Sequence, residues 1–157
     1  MNTMYVNQNY EREKEALDFL SIKWKCHYTY IGKDVMSRVD AFLTRDNELK
    51  GIVEVKCRTQ GLSWFKEYNS CMVSYAKIQI ASDLSRLLQK KFFVVIQTSD
   101  RHLIVFQITD RQGRIVCPMN IRFSSGEKNN NFEKKEMVTA YLSIDGNSFC
   151  NIIKNDW

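Results

Sequence analysis

Residues 51–59 read GIVEVKCRT, a run of β-branched and small residues into which Glu54 and Lys56 are set two positions apart. Residues two apart on a strand project to one face, so the acid and the base share a side. Just upstream, SRVDAFLTR (37–45) alternates as a strand does, and DNELKG (46–51) between the two is rich in turn formers. A hairpin with its turn centred on Asn47 opposes residues whose numbers add to 94. Val39 then faces Val55, Ala41 faces Val53 and Leu43 faces Gly51, an apolar or small face fit for burial. On the other face Arg38 meets Lys56, Asp40 meets Glu54 and Phe42 meets Ile52. Like charges directly opposed destabilise a sheet. A divalent cation between the carboxylates and a phosphate near the bases would relieve them; a solvated sheet face would tolerate them. A bulge, or a two-residue turn at Asp46-Asn47, would shift this register by one.

Outward from the hairpin, YEREKEALDFL (10–20) places Glu13, Ala16, Leu17 and Leu20 on one helix face, with a carboxylate at its head. WKCHYTYIG (24–32) alternates as a strand and completes an antiparallel meander with the hairpin. QGLSWFKEYNS (60–70) has little periodicity and reads as a mobile loop. SYAKIQIASDLSRLLQKK (74–91) predicts an amphipathic helix with Ile80, Ala81, Leu84, Leu87 and Leu88 on the apolar side and Lys77 at its end. FFVVIQT (92–98) predicts a central strand covered on both faces, and LIVFQI (103–108) predicts a second strand. Beyond these, VTAYLSID alternates as an edge strand, SSGEKNNNFEKKE reads as a polar loop and Pro118 interrupts RIVCPMNIRF. The fold class is α/β in a single domain, 1–157, with a motif-bearing core over about 10–110 and unassigned strands and loops over 111–157.

A chain of 157 residues with 44% hydrophobic and 26% charged residues needs neither disulfides nor a metal to fold. Its five cysteines form no CxxC pair, which argues against a disulfide framework or a zinc knuckle and for a reducing, cytoplasmic setting. No stretch has the apolar length of a signal peptide or of a membrane span, so no membrane partner is expected. The net charge of +5 favours an anionic partner such as nucleic acid, although charge alone is weak support.

The chain contains three Glu-x-Lys triplets, but only Glu54-Val55-Lys56 lies in a β-branched strand and follows an Asp at hairpin distance. Asp40 followed by Glu54-Val55-Lys56 resembles the active-site motif of the PD-(D/E)XK nuclease superfamily, from about residue 10 to residue 98. Val39 stands where the motif's Pro is usual, a replacement the superfamily accepts. The order of elements is similar to that of small members such as Holliday-junction resolvases and phage nucleases. The resemblance implies a restriction-endonuclease-like central mixed β-sheet flanked by helices. It also implies hydrolysis of DNA, double-stranded or branched, with Mg²⁺ as cofactor and Mn²⁺ as a substitute. Asp40, Glu54 and the Val55 carbonyl would then ligate the metal, and Glu13 would hold a water or a second ion. Lys56 would orient the attacking water and stabilise charge on the phosphate, with Lys77 (or Gln79) as the helix-borne partner. Arg58, Gln60, Lys66 and Arg38 are the expected nucleic-acid contacts. Superfamily members often act as dimers, so a homodimer is an expectation as well.

Plainer readings stand beside these. Glu13 suits the first turn of a helix, where the dipole favours an acid, and Lys77 suits a helix edge. Trp64 could stack on an unpaired base, but a packed surface Trp is the preferred reading. As a whole, the alternative to a nuclease is an inactive nucleic-acid-binding or protein-interaction module on the same fold.

Overall fold

The hairpin forms from Ala41 onward with the expected pairs, its register reached by two compensating irregularities. Val39, expected to face Val55, instead packs with Ile52 and Ile78 on the side of the sheet opposite Val55, because the ladder and its two-residue alternation stop at Ala41. The structure, a computed structural model, describes residues 3–31, 39–128 and 134–155. Strands β1 (His27–Tyr30), β2 (Ala41–Arg45) and β3 (Glu48–Cys57) make an antiparallel meander. Asp46 and Asn47 both adopt positive φ, 53° and 62°, the conformation of a two-residue turn whose twist matches the flanking strands. That turn opposes Arg45 to Glu48 and Thr44 to Leu49, one short of the expected sum. A bulge between Leu43 and Thr44 then restores it, so that Leu43 meets Gly51, Phe42 meets Ile52 and Ala41 meets Val53. Arg38, expected opposite Lys56, lies outside the described residues.

Strand β5 (Lys91–Gln97) runs parallel to β3 and antiparallel to β6 (Leu103–Gln107), which pairs in turn with β9 (Cys150–Ile153). The result is a mixed six-stranded sheet in the order β1-β2-β3-β5-β6-β9. Helix α1 (Thr3–Trp24) covers one face, where Ala16, Leu17 and Leu20 pack with Val53, Val55, Val95 and Val105. The other face presents Ile52, Val94, Ile96, Ile104 and Phe106 to helix α3 (Tyr75–Leu88) and its surroundings. Residues from β5 are buried on both sides, as the continuous apolar run predicts.

Four expectations are corrected. The stretch 60–70 is not a loop: it holds helix α2 (Leu62–Tyr68) and the start of strand β4 (Ser70–Ser74). Leu62 and Phe65 anchor α2 in the core, and Asp100 Oδ1 accepts the Leu62 N–H at 3.0 Å. The buried face of α3 is rotated from the expected one: Ile78, Ala81 and Ser85 point inward, while Leu87 is 77% exposed. Ser85 is admitted because its hydroxyl bonds Thr109 Oγ1. VTAYLSID is not an edge strand but part of β8 (Lys134–Ser143), the middle of a second sheet ordered β4-β8-β7, with β7 spanning Met119–Lys128. These two strands also take up most of the expected polar loop 124–136, of which 129–133 lies outside the described residues. Cys71, Val73, Ala140 and Leu142 of this sheet join the core around α3, and the chain forms one α/β domain. All five cysteines are free.

Candidate active site

The head of β3 brings the sequence-predicted acids and bases together. Even-numbered residues of β3 face α3, so Glu54 is carried into the interior, where it is 2% exposed. Its Oε1 receives two ammonium groups: Lys56 from the same strand at 2.8 Å and Lys77 from the first turns of α3 at 3.1 Å. A buried carboxylate is costly unless paired, and two lysines supply that pairing. Its other oxygen, Oε2, is the buried side-chain atom among the described residues that has no hydrogen-bond partner.

Asp40 precedes β2 and continues the line of the hairpin. Its N–H donates to the Val53 carbonyl at 3.1 Å, and its Oδ2 accepts the Val55 N–H at 2.7 Å. The carboxylate thus takes the place a backbone carbonyl would hold if the ladder continued. The N–H and C=O of a strand residue point to the same edge, so the Val55 carbonyl is turned toward Asp40 as well. Burial first, and then the Glu54 and Glu13 carboxylates, push the Asp40 carboxyl up to about 6, against the pull of the Val55 N–H and Lys56. At Asp40, burial and the neighbouring carboxylates therefore outweigh the Lys56 charge and the Val55 N–H.

Glu13 comes from α1, across the sheet from α3, and reaches Asp40 through its field. Tyr30 holds it, donating its hydroxyl to Glu13 Oε2 at 2.7 Å, and Tyr10 packs edge-on against the Tyr30 ring at 5.3 Å. Burial, with the Glu13 hydrogen bond second, raises the Tyr30 phenol above its ordinary value. Neither tyrosine was singled out from sequence; Tyr30 lies in an alternating strand whose inward side gave no sign of a polar partner. Arg12 was missed too. Its guanidinium donates to the Gln97 side chain at 3.2 Å and to the Arg58 carbonyl at 2.9 Å, tying α1 to the exit of β3.

Among the described residues no three His, Cys, Asp or Glu side chains come together as a metal-holding group. The donors at hand are Asp40, Glu54 and the Val55 carbonyl, with Glu13 set back. This small oxygen set fits Mg²⁺, which retains several waters and is commonly bound through one or two carboxylates. The unpartnered buried Glu54 Oε2 and the Asp40 carboxyl raised in part by the Glu54 charge both fit a need for further positive charge at this site.

Of the expected nucleic-acid contacts, Arg58 and Gln60 follow β3 and line a cleft with Trp64, whereas Lys66 is exposed on α2 and does not line it. Gln79 is exposed on α3, and Lys77 rather than Gln79 is the residue paired with Glu54. Among the described residues no helix is long and apolar enough to cross a membrane. No curated protein and no solved structure gives a significant match to the chain. A family described as "Phage putative PDDEXK endonuclease" does match, over residues 4–143. That span runs from α1 through the Asp40–Glu54–Lys56 hairpin to the end of β8, and the chain belongs to this PDDEXK endonuclease family.

Proposed function

We propose that the protein is a Mg²⁺-dependent deoxyribonuclease that hydrolyses phosphodiester bonds at the Asp40–Glu54–Lys56 centre. The observation that carries this reading is the buried Glu54, paired to two lysines through one oxygen and unpartnered at the other, beside a second carboxyl with a raised pKa. A divalent ion held by Asp40, Glu54 and the Val55 carbonyl would supply Lewis-acid activation of water and neutralise charge on the phosphate.

The chain's own residues do the rest. Asp40, fixed through its Oδ2 to the Val55 N–H, holds the metal-facing edge of the site in register with Glu54. The Lys56 side chain is one-third exposed, so it can meet solvent and a phosphate while Glu54 orients its ammonium. It positions the attacking water and stabilises the negative charge that develops on the phosphate oxygens. Lys77 gives Glu54 a second ammonium partner, so that Lys56 is not its sole counter-charge. Glu13, oriented by Tyr30, adds negative charge at the rim and favours the cation.

The test uses linear, circular, single-stranded and branched DNA with Mg²⁺, with Mn²⁺ and with EDTA. Cleavage should require the metal and should disappear in Asp40→Asn, Glu54→Gln and Lys56→Ala. Cleavage that survives these substitutions would remove the mechanism, and a wild-type protein that binds DNA but cuts none of it would make the domain an inactive binding module.

A further inference from the structure

We infer that the cleft at the exit of β3 holds an unpaired nucleobase of the substrate strand, which makes the enzyme selective for DNA with single-stranded character. This rests on the nuclease reading of the adjoining site. The cleft has a volume of about 540 Å³, and its lining includes Arg58, Gln60, Trp64, Tyr68, Met72 and Tyr141. Such a volume lies within the roughly 300–1,000 Å³ of ligand pockets. Strand β3 carries Lys56 directly into Cys57 and Arg58, both of which line the cleft, so it begins roughly 3.3 Å of strand beyond the catalytic lysine. A strand of nucleic acid with one phosphate at Lys56 therefore reaches the cleft with its neighbouring nucleotides.

The short helix α2 explains why this surface is aromatic. Leu62 and Phe65 satisfy the core, yet Trp64 and Tyr68, one turn apart, remain 41% and 61% exposed. Their rings lie 4.6 Å apart at 45°, and Trp64 also meets buried Phe65 edge-on at 5.1 Å. The indole is thus held in place before any ligand arrives, which lowers the entropy lost on binding. Across the cleft, the Arg58 guanidinium donates to the Met72 carbonyl at 3.0 Å, which fixes a positive charge beside the rings. Aromatic faces for stacking beside a cation for the backbone is the chemistry of single-strand binding. Within a duplex the faces of the bases are covered by their neighbours, so a paired strand cannot use this surface.

The experiment measures the affinity of one labelled oligonucleotide, single-stranded and as a duplex of the same sequence, by fluorescence anisotropy in EDTA so that nothing is cut. Wild-type protein should prefer the single strand. Trp64→Ala and Tyr68→Ala should each lower single-strand affinity about tenfold and reduce the preference over duplex, while Trp64→Phe should keep most of it. Thermal melting confirms that each variant is folded. Equal wild-type affinity for the two forms, or a folded Trp64→Ala with unaltered single-strand affinity, overturns the inference and leaves the cleft as a contact for some other partner. Cleavage is scored separately in Mg²⁺. Cleavage without any effect of Trp64→Ala on binding rejects the base-binding cleft and keeps the nuclease, whereas Trp64-dependent binding without cleavage of any substrate keeps the cleft and rejects the nuclease.

Discussion

Lys77 Nζ lies 3.1 Å from Glu54 Oε1, a contact between α3 and the central sheet at the same oxygen that Lys56 binds at 2.8 Å. One buried carboxylate oxygen thus joins the strand that carries the candidate chemistry to the helix packed over it. The two lysines are not equivalent: Lys56 leaves the strand toward the site, whereas Lys77 closes it from above.

Replacing either lysine with Met leaves Glu54 one ammonium partner and should cost about 1.5–3 kcal/mol, the range for a hydrogen bond to a charged group. Replacing both strands a buried charge, so the double variant should lose more than the sum of the singles by about 1 kcal/mol or more. Adding Glu54→Gln to the double variant should recover much of that loss. Urea denaturation of the wild type and the four variants decides it; strictly additive losses would mean that water, rather than lysine, neutralises Glu54.

The Asp40 carboxyl, raised from 3.8 to about 6, sets a pH dependence. A raised acid keeps its proton longer in the folded than in the unfolded chain. Its contribution to stability is therefore full below the unfolded value and is lost as pH rises through the folded one. Metal-free protein should lose thermal stability between about pH 4 and pH 7, and Asp40→Asn should flatten that slope. Mg²⁺ needs the ionised carboxylate, so it should raise the melting temperature at about pH 8, much less at about pH 5, and not in Asp40→Asn. Melting curves at both pH values, with and without Mg²⁺, provide the comparison.

Tyr30 acts through Glu13. Tyr30→Phe keeps the ring that packs against Tyr10 and removes only the hydroxyl bonded to Glu13 Oε2. Stability should change by about 1 kcal/mol or less, while DNA cleavage should fall about tenfold and need more Mg²⁺, an effect of ordinary size for a residue that orients a metal-site group. Glu13→Gln should behave alike. A variant with unchanged rate and unchanged Mg²⁺ requirement would reduce Glu13 to a helix-surface acid.

Lys50 is the extra residue of the hairpin. Deleting it would leave Thr44 opposite Leu49 and Leu43 opposite Gly51 in an uninterrupted ladder, with Ala41 still opposite Val53. The bonds of Asp40 to Val53 and Val55 are preserved, so the deletion should retain metal-dependent cleavage and melt within a few degrees of wild type. Loss of cleavage in a folded deletion variant would show that the extra twist of the bulge, and not the register alone, shapes the site.

The hairpin was legible because its information is local. Alternation, a turn of Asp and Asn and a buried apolar face leave few registers open, and the charges on the opposite face then stand out. Helix α3 was legible in extent for the same reason, whereas α1, Thr3–Trp24, runs well beyond the 10–20 that its apolar spacing marks. What was missed depends on partners far along the chain. Helix α2 is fixed by Asp100 at its first turn and by two buried side chains, and a seven-residue helix has too few turns to show a period. Its end is fixed by Asn69, whose left-handed backbone turns the chain and whose side chain accepts the N–H groups of Ile144 and Asp145. The inward face of α3 was misread because Ser85 is polar in sequence and apolar in effect once Thr109 accepts or donates its hydrogen bond.

By itself the sequence determined the α/β class, the hairpin pairing and the short set of acids and bases that could share a site, since each follows from the two-residue period of a strand or the 3.6-residue period of a helix. Only the tertiary structure decided that Lys77, and not a ligand alone, answers the charge of Glu54, that Tyr30 holds Glu13, and that Trp64 faces outward beside Arg58. Those outcomes depend on which surfaces remain uncovered and which charges are desolvated together. Both are properties of packed layers and not of any stretch of chain.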